Sequence, residues 1–290
     1  MTVHILTDSS HYLDPAVVSE LNLHVLPLGL IINQREYHER LDITTEMLFE
    51  MLQDKSSSWP TTAAVTPGAM QAALDELTAN PADQVVGVFM SRGTSVTVEV
   101  AQSVAAEHPA RDRIHIVDSQ GVSGALALTL LTVGRLAQEG ASAAQVADVA
   151  RCMGQAMRVM FTVDTLEYLH RGGRMKGSQA LLGSLLGIKP VLWLNAGAIE
   201  LWSKARGKKK ALATMLDESL AAMPDSEPIH ALVFDAAAPE DSAAMRRVLA
   251  ERATCEQLYQ AQIGPVVAAH VGPGCLAMAV CPASVTRVGE

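Results

Sequence analysis

The sequence predicts an α/β fold made of two α/β domains. Residues 1–150 are expected to form a mostly parallel sheet with helices on both faces, and residues 151–290 a mixed sheet with helices. Three observations carry this. The chain has 290 residues, enough for two ordinary domains. Strand-like apolar runs alternate with helical patterns through the first half, the pattern of a parallel sheet covered on both sides. Past residue 150 a hairpin-like segment interrupts that alternation. The boundary is placed near Ala150, within about ten residues.

The elements follow in order. "VHILTDSS" reads as a strand ending in a polar loop. Asp14-Pro15 opens a helix, with Asp as N-cap and Pro in the first turn. "LHVLPLGLIIN" is strand-like, "TTEMLFEMLQ" is helical with Thr44 or Thr45 and Glu46 near its start, and "KSSSWPTT" is a polar loop. Thr66-Pro67 caps the helix "GAMQAALDELTAN". "QVVGVFMS" is a buried strand, "RGTS" a loop, "VTVEVAQSVAAEH" a helix and "RIHIVDS" a further strand. "GALALTLLTVGRLAQEG" is a long helix ending at Gly140, and "AAQVADVARCMGQA" is another.

In the second half, "RVMFTV" is a strand, "DTLEYLHRGG" a short helix and turn, and "SQALLGSLLG" a second helix. "IKPVLWLNAGAIELWSKARG" reads as a hairpin turning at Asn195-Ala196-Gly197. A helix ("KKKALATMLDESLAAM"), a strand ("HALVFDAA"), a helix ("EDSAAMRRVLAERA") and strands at "EQLYQAQI" and "CLAMAV" complete the chain.

Composition narrows the function. Hydrophobic residues make up 49% and aromatics only 4%, so the core is aliphatic, with 13 Met among its candidates. Met fills irregular space, which suits an apolar ligand, although an ordinary Ala-rich core explains the numbers as well. A net charge of −9 disfavours nucleic acid, whose phosphates need a basic face. Lys208-Lys209-Lys210 is the only basic run and fits the solvated start of a helix. The four cysteines lack CxxC spacing and read as reduced thiols of a cytoplasmic protein. No signal peptide and no membrane-spanning run is expected.

Three polar loops fall where strands end and helices begin, the usual ligand position in parallel α/β sheets. They are "TDSS", "TTAAVTP" and "SRGTSVT". Their hydroxyls and backbone N–H groups suit an oxygen anion, and each also suits plain helix capping. Familiar catalytic patterns are missing. There is no GxxxxGK[ST] loop, no GxSxG elbow, no HExxH and no paired Cys ligands. No metal, cofactor or catalytic residue is expected.

Taken together and in order, the motifs resemble the DegV family, which includes the fatty-acid-binding subunits of bacterial fatty acid kinase. "TDSS", "TAAVTP", "SRGTSVT", "VDS", "LEYLHRGGR", "LLGSLLGIKPVL", "KARGKKKAL" and "HVGPG" carry the resemblance over nearly the whole length. The resemblance implies a non-catalytic lipid-binding protein with a long-chain fatty acid between and within its domains. Thr62, Ser95 and His270 would hold the carboxylate, with Thr94, Arg92 and Ser9 as neighbouring candidates. Arg174 and Arg206 would lie at the rim, where a separate dihydroxyacetone-kinase-like fatty acid kinase docks, a setting of phospholipid metabolism. Ala63, Ala64, Arg92 and Val96 depart from the family's polar loops, and Arg92 either adds charge near the head group or faces solvent. Two rivals stand beside this reading: a carrier of another apolar ligand without a kinase partner, and a Ser95-based acyl hydrolase.

Gly172-Gly173 leaves two readings open. Either the turn only ends a helix, or it lets Arg174 approach a ligand mouth.

Overall fold

The computed structural model describes residues 2–54, 56–175 and 187–286. Three sheets organise them. The first is fully parallel, in the order β2-β1-β6-β7, from β1 (Val3–Asp8), β2 (Leu23–Leu26), β6 (Gln84–Phe89) and β7 (Ile114–Asp118). The second is a small antiparallel sheet, β4-β3-β5, from β3 (Gly29–Ile32), β4 (Arg35–His38) and β5 (Thr61–Ala63). The third has six strands in mixed directions, β10-β9-β8-β13-β11-β12. It uses β8 (Arg158–Thr162), β9 (Ile188–Asn195), β10 (Ala198–Arg206), β11 (Ile229–Ala236), β12 (Cys255–Gln262) and β13 (Cys275–Pro282).

Helices form where local signals predict them. Asp14, Thr44, Thr66 and Ser142 each accept a backbone N–H at the start of α1 (Pro15–Glu20), α2 (Thr45–Gln53), α3 (Pro67–Leu77) and α6 (Ala143–Ala156). α4 (Thr97–Glu107) covers the first sheet together with α3. α5 (Gly124–Gln138) is apolar nearly all round, and every residue from Gly124 to Gly134 is buried. Such a helix needs cover on all sides. It has it, touching β1 on one side and β11 and β13 on the other. α6 runs through residue 150 and touches β6, β7 and β13. One continuous core therefore joins Ile5 and Val86 of the parallel sheet to Leu126 of α5 and Ala277 of the mixed sheet. A smaller cluster around Met160, Met215 and Met278 lies under α8 (Lys208–Ala221) and α9 (Pro239–Arg252).

The structure departs from the sequence reading in four places. The run "LHVLPLGLIIN" is two strands in two sheets, divided where Pro27 can donate no ladder bond. β4 returns from β3 through Asn33-Gln34, both at positive φ (52° and 61°), which makes a tight hairpin without glycine. Part of the "TTAAVTP" loop is β5, with Thr62 opposite Leu30. Pro265–Val271 forms a seven-residue helix, α10, ahead of the "HVGPG" motif that it shares at its last two residues. The helix expected over "SQALLGSLLG" lies, up to its last residue, outside the described residues.

Candidate functional site

A cavity of about 350 Å³ opens where the three sheets meet. Its walls are mainly apolar, including Phe161, Leu194, Ile199, Phe234, Val271 and Ala277. The mixed sheet supplies most of them. α10 supplies one side through Val266, Val267, His270 and Val271, and the loops before α4 and α5, β5 and the Gly173-Arg174 turn also contribute.

The polar groups in the wall form a connected cluster. Thr62 Oγ1 on β5 lies 2.9 Å from His270 Nε2 in the last turn of α10. The Nδ1 side of the same ring rests against Gly172, where a Cβ would stand 2.2 Å from Nδ1. The Arg174 guanidinium donates to the Gly172 carbonyl at 2.6 Å and to the Thr94 carbonyl at 3.3 Å. Ser95 follows on that loop and also lines the cavity. Burial, and then the charge of Arg174, pushes the His270 imidazole down to about 4. It is therefore neutral at pH 7, with one N–H to give and one nitrogen to accept. Hydroxyls, a neutral imidazole and a guanidinium together suit an oxygen anion held in an apolar space.

The turn after α7 (Glu167–Arg171) combines the two readings of its glycines. Gly173, at φ 67°, donates to His170 O, and Arg174 N–H donates to Leu169 O, the paired bonds of a left-handed helix stop. The same stop seats the His270 ring against Gly172 and aims Arg174 at the cavity. The Trp59 ring packs against Tyr168, with centroids 5.0 Å apart and planes tilted by 49°, and the Arg171 guanidinium lies over Trp59.

Thr62, Ser95, His270, Thr94, Arg92 and Arg174 all line this cavity. The other two candidates, Ser9 and Arg206, lie outside its lining. Ser9 is fully buried elsewhere: its hydroxyl donates to Glu39 at 2.6 Å and accepts from Leu28 N–H at 3.0 Å. Arg206 is exposed at the far end of β10 and is not among the lining residues. Arg92 stands at the cavity with its side chain about half exposed, and Asp118 takes its Nε–H at 2.8 Å. Ala63 and Ala64 line the cavity without a hydroxyl, and Val96 is 57% exposed at its edge. Ser95 Oγ meets Thr97 Oγ1 at 3.0 Å and accepts the Thr97 N–H, while the His270 ring is bonded to Thr62.

Sequence reading missed two features. Ser91 Oγ donates at 2.9 Å to Gly197 O, so the β9–β10 hairpin tip is latched onto the loop that carries Ser95. Glu39 and Tyr12 hold the start of α10. Neither had a local signal, since the partners stand 106 to 255 residues apart. Among the described residues no group of three or more His, Cys, Asp or Glu could hold a metal ion, and no helix is long and apolar enough to cross a membrane.

Fold and site together define an α/β protein with an internal apolar cavity closed by hydroxyl, imidazole and guanidinium groups. The chain belongs to the DegV family: the family model described as "Uncharacterised protein, DegV family" matches residues 2–283. A DegV domain-containing protein of Streptomyces coelicolor is 31% identical over 96% of this chain and 98% of its own length. One from Mycobacterium bovis is 32% identical over 97% of both. Among solved structures, a DegV family protein from Thermus thermophilus, described as fatty acid binding, superposes with a TM-score of 0.90 at 32% identity, covering 97% of this chain and all of that one. DegV of Bacillus subtilis, described as a fatty acid binding protein, gives 0.84 at 27% identity over 97% of this chain and 99% of that one.

Proposed function

We propose that this chain binds a long-chain fatty acid and presents its carboxylate to a separate ATP-dependent, dihydroxyacetone-kinase-like fatty acid kinase, which forms the acyl phosphate. The observation that carries this is the meeting of a mostly apolar cavity with the Thr62–His270 pair, beside Ser95 and Arg174. The tail gains roughly 0.8 kcal/mol per buried CH₂, so a sixteen-carbon chain supplies on the order of 10 kcal/mol before entropic losses. The carboxylate, prohibitive to bury alone, finds hydroxyl and N–H donors. The fatty acid binding described for the relatives in Thermus thermophilus and Bacillus subtilis supports the same ligand.

In this reading Arg174 steadies charge on the transferred group at the mouth, and Arg206, exposed on β10, belongs to the face that docks the kinase. The chain divides near residue 150, works in the cytoplasm and feeds phospholipid metabolism. It needs no chemistry of its own. The bonds of Ser95 to Thr97, with His270 on Thr62, favour a carrier over a Ser95 hydrolase.

The test is denaturing extraction of the purified protein followed by mass spectrometry. A stoichiometric long-chain fatty acid acquired from the expression host is the expected result. Recovery of a different apolar molecule favours a carrier without a kinase partner. No lipid, together with no binding of added palmitate or oleate, ends the proposal.

A further inference from the structure

α10 has seven residues, too few to hold a helix in water without outside support. It nevertheless supplies one wall of the cavity and, in its last turn, His270. Its support comes from the opposite end of the sequence. Pro265 has no N–H, so the first free donors of the helix are those of Val266 and Val267. Val266 N–H donates to Glu39 Oε1 at 2.9 Å, and Val267 N–H donates to Tyr12 Oη at 3.1 Å. The Tyr12 hydroxyl donates a hydrogen bond to the Glu39 carboxylate, and Ser9 Oγ donates to Glu39 Oε2 at 2.6 Å. Three groups thus converge on one carboxylate that is 1% exposed.

Keeping a carboxylate in such a place costs several kcal/mol, and an apolar residue of similar size is often no less stabilising. Its other charged and titratable neighbours do not share its task. Asp8 accepts from Met90 N–H and from Ser10, His11 accepts from Leu13 N–H, and Arg40 donates to Leu13 O. Of these groups, Glu39 and Tyr12 are the two with hydrogen bonds to α10 among the described residues.

We infer that Glu39, together with Tyr12, is a positioning residue for ligand recognition: the pair clamps the first turn of α10 and so holds the His270 imidazole against Thr62. This rests on the fatty acid reading above. Glu39 does not itself line the cavity; its carboxylate meets the wall through Val266 of α10, and its backbone N–H and Ser9 hold Leu28 on the other side.

The experiment uses Glu39→Ala, Glu39→Gln and Tyr12→Phe in the full-length protein, with two readouts. One is the Kd for palmitic acid and for 1-hexadecanol, which share a tail and differ in the head group. The other is the His270 imidazole followed by NMR in lipid-free protein. A lost clamp should weaken palmitic acid by about tenfold and leave hexadecanol within about twofold. Glu39→Gln should fall between, since its amide oxygen still accepts the Val266 N–H. The His270 imidazole should climb from about 4 toward its ordinary 6.5 as the ring meets water.

Proportional weakening of acid and alcohol would reduce Glu39 to a plain stability residue and overturn the inference. So would an unchanged His270 signal. If Glu39→Ala fails to fold, the Gln and Phe variants carry both readouts. If the wild type binds no fatty acid, the ligand proposal fails by itself, and the imidazole measurement on lipid-free protein still decides the clamp.

Discussion

Thr62 and His270 lie 208 residues apart in the chain, yet their side chains meet at 2.9 Å. The contact joins the edge of the small antiparallel sheet to the last turn of α10. There the apolar wall of the cavity gives way to polar side chains.

Thr62→Val keeps the shape and the strand preference of this position and removes only the hydroxyl. Fatty acid affinity should fall by roughly 1 to 3 kcal/mol, the cost of removing one donor from a charged acceptor. Displacement of a fluorescent fatty acid measures it. An unchanged Kd would put the carboxylate elsewhere.

Gly172→Ala places a methyl group where the His270 ring now sits. The ring must move, because its other side is held by Thr62. The expected result is a destabilisation of about 1 to 3 kcal/mol, with a loss of fatty acid affinity at least as large as that of Thr62→Val. Thermal unfolding and lipid binding on the same sample test both. Gly173→Asn tolerates the left-handed backbone, and it should leave binding nearly intact.

Arg174→Ala should lower acyl-phosphate formation more than it lowers lipid binding, since the tail supplies most of the affinity. Arg174→Lys should restore only part, because lysine cannot reach the Thr94 and Gly172 carbonyls with one planar group. Hydroxylamine trapping beside a direct binding measurement separates the two effects. Equal losses in both would make Arg174 a head-group ligand.

Two buried groups pull stability in opposite directions with pH. His270 is lowered to about 4 from 6.5, so the unfolded chain binds the extra proton first, and stability falls as pH drops through that window. Glu39 is raised by burial from 4.5 to about 7 despite three hydrogen bonds that favour its charged form. Here the native state holds the extra proton, and stability falls as pH rises through that window. Glu39→Gln should therefore gain on the wild type between pH 4.5 and 7, with a slope of up to about 1.4 kcal/mol per pH unit. His270→Asn should instead flatten the acid-side loss between 4 and 6.5. Urea unfolding at several pH values reads both, and parallel curves for Glu39→Gln and the wild type would show that Glu39 titrates normally.

The legible parts of the fold were those whose cause is local. A threonine before Pro67 caps α3 through its own third residue, and Asn195 to Gly197 turn a hairpin whose strands flank them directly. What escaped depends on distant partners or on atypical turns. Asn33-Gln34 takes positive φ without glycine, and α10 is too short to show a period. The site divides in the same way. Its hydroxyls, imidazole and arginine came from the order of motifs, whereas nothing in spacing puts Thr62 on His270. Ser9, chosen from a loop at a strand end, turned inward because Glu39 needed a donor.

The cavity takes its lining from all three sheets, through Thr62 of β5, the loop after β6, and strands β8 to β11 and β13. An occupant spanning it would act as a staple between layers already joined by side-chain packing and by a few hydrogen bonds such as Ser91 to Gly197 O. By mass action, binding that is confined to the folded state stabilises it, by roughly 2.7 kcal/mol when free ligand stands at a hundred times Kd. Resistance to proteolysis follows the population of opened molecules when reclosing is fast. With the proposed fatty acid as that occupant, the lifetime of this protein in a cell would report lipid supply, long when lipid is abundant and short when it is scarce.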